Sequence, residues 1–234
     1  MIITEEWQKA HGMIINDFMN VLSGNNDNEF ILKGGTALML CYGLDRFSED
    51  IDLDKNKGSG SLLKIIDHFC CARGYESRIA KNTNTTQRVM IKYSEDDRQK
   101  PLKIEMSMRR GRAIPAEEIT TKNGIVTYIP DVLTDMKIEA YLGRDAIRDL
   151  YDLCYLYNNY KGEILDRTFS RIERALSVKG LEQFDYLIHT QQDELINNDQ
   201  LMQNFLTMYD DLGLRYDNDE TKVVEMIKKN ETTD

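Results

Sequence analysis

Three aspartates at alternate positions, Asp50, Asp52 and Asp54 in the run Ser48-Glu49-Asp50-Ile51-Asp52-Leu53-Asp54, have the spacing in this chain that most directly implies chemistry. Alternate residues of a strand share a face, so the aspartates stand on one side and Ile51 and Leu53 on the other. Like charges that close oppose one another's ionisation. A hard divalent cation removes the cost, because Mg²⁺ takes oxygen ligands and is commonly held by one or two carboxylates plus substrate phosphates. Two such ions about 3.5–4 Å apart clamp the attacking and leaving oxygens of a phosphoryl transfer. A calcium-binding EF-hand loop opens with the same spacing. Its sixth position, a glycine, is Lys55 here, and its twelfth, a glutamate, is Ser61, which excludes it.

Just upstream lies a seat for an anion. Phe30-Ile31-Leu32 reads as a short buried strand, Gly34-Gly35-Thr36 follows, and Ala37-Leu38-Met39-Leu40 reads as the start of a helix. A strand, a glycine pair and a helix start together let backbone N–H groups point at a phosphate. A glycine pair alone is a common turn, and a lone Asp-x-Asp is usually a solvated strand edge. In this order they read as a nucleotide-handling site.

Gly34, Gly35, Thr36, Leu38, Arg46, Ser48, Asp50, Ile51, Asp52 and Leu53 together resemble the first motif of the nucleotidyltransferase superfamily, and within it the AbiEii-type toxin family. That family writes Gly-Gly-Thr-x-Leu, a helix, then Arg-x-Ser-x-Asp-Ile-Asp-Leu. A second likeness lies downstream. Lys137-Ile138-Glu139-Ala140, then Arg144, then Arg148-Asp149-Leu150-Tyr151-Asp152-Leu153 resemble the family's Lys-x-x-Ala, Arg and Arg-Asp-x-Tyr-Asp-Leu.

The resemblance implies an α+β fold: a nucleotidyltransferase-like mixed sheet with flanking helices, then a C-terminal helical bundle. It implies transfer of a nucleoside monophosphate from an NTP to an RNA (tRNA) or protein acceptor, with Mg²⁺, two ions by the metal argument above. It further implies a toxin of a toxin–antitoxin or phage-defence module, and so a cognate antitoxin. Gly34, Gly35, Thr36, Arg46, Ser48 and Lys137 would bind the nucleotide, and Asp50 and Asp52 the metal. Either Asp149 or Asp152 would complete the site. On an unbroken helix Lys137, Arg144, Arg148 and Asp152 share a face, which favours Asp152 unless Gly143 breaks it. The plain alternative is that Arg148 and Asp152, four apart, form only a surface pair.

These groups need elements to hold them. Residues 4–22 read as an amphipathic helix with Thr4 as cap and Trp7, Ile14, Phe18, Val21 and Leu22 inward. Leu62, Leu63, Ile65, Ile66 and Phe69 mark another helix, capped near Gly74. Strands follow over 75–80, 87–93, 102–108 and 125–129, with Asn123-Gly124 a turn and Pro130 closing the last. Glu105 lies on the polar face of the third of these, where the superfamily likeness places its third acidic residue. It is therefore expected as metal ligand or base. Arg109, Arg110 and Arg112 form a dense basic cluster, read equally as an acceptor guide or a surface turn. Lysines of the loop 55–60 are read as solvated. From Asp131 the pattern turns helical, giving expected domains 1–130 and 131–234, with Asp131 or Thr134 as cap. Three or four helices follow Leu165, the last over 220–229, with a frayed tail at 230–234.

The chain's 234 residues, 41% of them hydrophobic, supply a full core. No apolar run reaches the about 20 residues of a membrane span, and no leader pattern opens the chain, so a cytoplasmic location is expected. Cys41, Cys70, Cys71, Cys154 and His11, His68, His189 show no ligand spacing and are read as packing or surface residues. A net charge of −10 means that any polynucleotide must be gripped by a local patch. The rival readings are a non-catalytic nucleotide-binding module and a protein-interaction module on the same fold.

Overall fold

The computed structural model describes residues 6–24, 27–96, 99–110 and 113–214. The expected Thr4 cap, Arg112, the helix over 220–229 and the tail lie outside them. The chain divides into two compact units, residues 1–133 and 134–234.

The first unit is built on a seven-stranded mixed sheet. Its strands are β1 (Phe30–Lys33), β2 (Asp50–Lys55), β3 (Glu76–Asn82), β4 (Thr86–Lys92), β5 (Leu102–Ser107), β6 (Ile119–Lys122) and β7 (Ile125–Tyr128), in the order β3-β4-β5-β2-β1-β7-β6. β1 runs antiparallel to β2, while β2 is parallel to β5 and β1 to β7. Ile51 and Leu53 are fully buried, as the alternation requires. Helix α1 (Glu6–Ser23) packs on β5, β7 and α3 (Leu62–Arg73), with Phe18 edge-on to Phe69 at 5.2 Å. Ser61 caps α3 at its start, and Gly74 ends it in the left-handed region.

Several expectations shift. Trp7 is half-buried, edge-on to Phe47, and so is not fully inside the core. β6 was not expected. Asn123 and Gly124, both at positive φ, turn it into β7, the conformation that favours Asn-Gly in a two-residue hairpin. Pro130 does not merely close a strand. It is the first residue of α4 (Pro130–Gly143), a position where its missing N–H costs nothing, so Asp131 and Thr134 lie inside the helix and do not cap it.

Within residues 134–214 the regular structure described is helical: the rest of α4, then α5 (Ile147–Tyr160), α6 (Asp166–Val178), α7 (Leu181–Thr190) and α8 (Asn198–Asp211). Helix α5 is buried from Asp149 to Tyr157 and packs on α8. Phe184 of α7 stacks on Phe205 of α8 with ring centroids 4.1 Å apart. Gly143 does end α4, so Lys137 and Asp152 lie on separate helices.

Candidate active site

Helix α2 (Gly34–Tyr42) begins at the glycine pair itself, three residues before the expected Ala37. Its cap, Lys33, makes no side-chain capping bond, which leaves the first-turn N–H groups available to an anion. The two glycines are required for different reasons. Gly34 has φ +74, a conformation other L residues resist, and a Cβ there would stand 3.1 Å from Asp52 Oδ2. Gly35 has no such backbone demand. A Cβ on it would meet Arg46 Nη2 and Ser48 Oγ, each at 2.8 Å. The second glycine therefore makes room for the chain's own side chains.

Those side chains tie the helix to the acidic strand. Thr36, buried in the first turn of α2, has its hydroxyl 2.9 Å from Ser48 Oγ and also within reach of the Asp50 carbonyl. Arg46 is buried and donates to the Phe47 carbonyl at 3.0 Å. The loop between α2 and β2 is thereby fixed, and with it the start of the strand that carries Asp50.

The sheet then sets four charged side chains in one row. Lys33 of β1 is in register with Asp52 of β2, Asp52 with Glu105 of β5, and Glu105 with Arg88 of β4. Residues in register on neighbouring strands project to the same face. Arg88 Nε donates to Glu105 at 2.5 Å. In the next row Asp50 is in register with Lys103, whose ammonium lies 2.6 Å from Asp50 Oδ2. Desolvation raises the pKa of Asp52, and the charges of Asp50 and Glu105 add to the rise, against the opposing pull of Lys103 and Lys33. Burial alone would lower Lys103. Its bond to Asp50 and the charges of Asp50, Asp52 and Glu105 outweigh that and leave its pKa raised.

Asp54 leaves the expected group. It shares the face, but its side chain is 6% exposed and already neutralised: Lys33 Nζ lies 2.5 Å from Oδ1, and the Tyr128 hydroxyl donates to Oδ2 at 2.7 Å. Burial, then the Asp54 carboxylate, push the Tyr128 phenol up. Lys55 is not solvated, since its ammonium meets Glu29 at 2.9 Å and the Phe30 ring. Arg110 turns to Glu118 and the face of Tyr128, which favours the surface-turn reading for that part of the arginine cluster.

Among the described residues, no three His, Cys, Asp or Glu side chains are gathered to hold a metal ion. Lys103 draws Asp50, and Arg88 draws Glu105. The donors nonetheless suit Mg²⁺ in kind, being all oxygen, and two carboxylates suffice for an ion that takes its remaining ligands from water and phosphate. Asp50 and Asp52, half-exposed beside the open end of α2, meet that requirement.

In the second unit, Lys137 of α4 reaches both aspartates that the sequence left open, Asp152 Oδ2 at 2.7 Å and Asp149 Oδ1 at 3.1 Å. Asp149 also accepts from Arg144 Nε at 2.6 Å. Both carboxylates are buried, while Lys137 keeps 11% of its side chain exposed. Two ammonium protons are thus directed inward, and the third has no partner among the described residues. Asp152 is fully buried against Lys137. Arg148 meets Asp193 at 2.5 Å, and with Asp152 buried the reading of the two as only a surface pair fails.

His11 is buried between the Tyr93 hydroxyl at 2.6 Å and the Glu49 carbonyl at 2.7 Å, and His68 and His189 are exposed. The cysteines are free, and burial lifts Cys41 to about 12. These residues are packing or surface residues, as expected. No described helix is long and apolar enough to cross a membrane.

The profile of the family described as "Nucleotidyl transferase AbiEii toxin, Type IV TA system" matches residues 20–221. Among solved structures, JHP933 from Helicobacter pylori is 26% identical with a TM-score of 0.74, over 95% of this chain and 98% of that one. An H. pylori protein solved as a candidate nucleotidyltransferase is 25% identical with a TM-score of 0.72, over 92% and 98%. No curated protein matches.

Proposed function

Since the chain belongs to the AbiEii family of nucleotidyl transferase toxins, we propose that it moves a nucleoside monophosphate from an NTP to an RNA, such as a tRNA, or to a protein. The observation that carries this reading is the placing of Asp52, flanked by Asp50 on its own strand and Glu105 on the next, against the uncapped start of α2. A triphosphate would lie at Gly34 and Gly35, with Thr36, Arg46 and Ser48 holding the loop that frames it. Asp50 and Asp52 would hold Mg²⁺, with Glu105 as a further ligand or as base. Bound Mg²⁺ would neutralise the triphosphate and polarise its oxygens.

An acceptor hydroxyl oxygen forms a bond to the α-phosphorus, and the bond from that phosphorus to the oxygen bridging the β-phosphate breaks. Pyrophosphate leaves with the bridging oxygen. In the reading of Glu105 as base, the hydroxyl proton passes to it. Lys137, oriented by Asp149 and Asp152, is the cation assigned to the phosphates from the second unit on the family likeness. A cognate antitoxin is the partner this family reading brings with it.

The rival of a non-catalytic nucleotide-binding module draws on the pairing of Asp50 with Lys103 and of Glu105 with Arg88. One experiment decides between them. The protein is incubated with each labelled NTP, Mg²⁺ and total RNA or cell extract. Label should appear on an RNA or protein and vanish with Asp50→Ala plus Asp52→Ala. Label that survives the double substitution refutes the assignment, and NTP binding without pyrophosphate release supports the rival.

A further inference from the structure

Of the four carboxylates that β2 and β5 turn to this face of the sheet, three hold a cation and one does not. Lys103 meets Asp50, Arg88 meets Glu105 and Lys33 meets Asp54. Asp52 makes no ion pair among the described residues. The register favours a different pairing. Lys33 stands directly opposite Asp52 across the antiparallel strands, whereas Asp54 faces Ile31 and lies diagonal to Lys33. Directly opposed side chains start about 5 Å apart and diagonal ones about 7–8 Å apart, so the short route for the ammonium is to Asp52.

Lys33 takes the longer route because Asp54 is the more buried acid. The Asp54 side chain is 6% exposed, and a carboxylate withdrawn from water must be met by a counter-charge and hydrogen bonds. Both are built in. Lys33 Nζ sits 2.5 Å from Oδ1, and the Tyr128 hydroxyl donates to Oδ2 at 2.7 Å. Tyr128 is itself held in place. It is fully buried, and its backbone carbonyl accepts from the hydroxyl of Tyr42, at the end of α2, at 2.5 Å. Asp52 is less buried, and its Oδ2 lies 3.1 Å from the place a Cβ on Gly34 would take, at the open start of α2.

We infer that Asp54 and Tyr128 are positioning residues that draw Lys33 aside and so keep the Asp52 carboxylate open to a divalent cation. The inference rests on the reading of Asp52 as a metal ligand in nucleotidyl transfer and adds two residues to that site. Without the Asp54 charge, the Lys33 ammonium swings to the acid opposite it. A cation must then break a charged hydrogen bond before it binds, which weakens its affinity about tenfold.

The test is a double-mutant cycle on the affinity of the full chain for Mn²⁺, an oxygen-seeking stand-in for Mg²⁺ that electron paramagnetic resonance detects. Melting curves show that each variant folds. Asp54→Asn can keep the bond from Tyr128 while it removes the charge, and it should bind Mn²⁺ about tenfold more weakly than wild type. Lys33→Met alone should stay within about twofold of wild type, because the lysine is already off Asp52, yet in the Asp54→Asn background it should restore most of the lost affinity. A general field effect gives Lys33→Met the same factor in both backgrounds. Equal factors overturn the inference, as does wild-type affinity in Asp54→Asn. A second measurement needs only the wild type: lysine acetylation followed by mass spectrometry with and without Mn²⁺. Metal should raise the labelling of Lys103, whose partner Asp50 turns to the ion, and leave Lys33 unchanged. A rise at Lys33 overturns the inference. Failure of the wild type to bind Mn²⁺ at all would strike the metal-site reading itself, and this inference with it.

Discussion

Asp52→Asn should make the metal-free protein more stable and functionally inert. The wild-type carboxyl is desolvated and faces Asp50 and Glu105, and these effects outweigh Lys103 and Lys33, so its pKa is raised in the fold. The folded state then holds this proton to higher pH than the unfolded chain does. Stability therefore falls as pH rises above the unfolded value near 3.8, until the folded pKa is passed. Asparagine keeps the shape and removes the charge. Relief of a charge strained for function typically yields about 0.5–2 kcal/mol. At about 2–4 °C per kcal/mol for a chain of this length, the melting temperature should rise by about 1–8 °C. The assay is thermal unfolding with chelator and with Mg²⁺ plus NTP. Ligand at a hundredfold excess over its Kd should stabilise the wild type by about 2.7 kcal/mol and leave the variant unmoved. A variant no more stable than wild type in chelator refutes the electrostatic argument. An undiminished ligand shift refutes the placing of metal and triphosphate at Asp52.

Two further outcomes follow from buried charges. His11 has its pKa held below the ordinary 6.5, chiefly by burial, so the unfolded chain takes up a proton that the fold refuses. Wild-type stability should fall as pH drops through 6.5 toward the depressed value, and urea titrations at pH 7.5 and 5.5 should show a smaller loss for His11→Asn. Equal losses would show that His11 is not the sensor. Lys137→Met leaves two buried carboxylates without their shared cation and should cost about 3–5 kcal/mol. Adding Asp152→Leu should restore part of that loss, and a double variant as unstable as the sum of the singles would deny the coupling.

Much of β1, α2 and β2 was legible because glycine pairing and strict alternation are local signals. The fate of Asp54 was not, since alternation assigns a face but not a neighbour, and Lys33 and Tyr128 lie 21 and 74 residues away in sequence. Glu105 was placed on the correct kind of strand, but its position beside Asp52 depends on a parallel register that no local pattern encodes. The motif left Asp149 and Asp152 both open, and the helix geometry favoured Asp152 only if Gly143 did not break the helix. Ending α4 at Gly143 lets a single lysine reach both. β6 escaped notice because Ile-Thr-Thr-Lys is short and mostly polar.

The row Lys33, Asp52, Glu105, Arg88 has a bearing on the life of the protein before it meets any substrate. A cluster of bare aspartates in a sheet would need an ion in order to fold, and a cell short of that ion would accumulate unfolded chains. Here the neighbouring strands bring the counter-charges, so the architecture can assemble and persist empty. In the proposed reaction an arriving cation would compete with lysine and arginine side chains already in place, so that loading the site would be an exchange of partners.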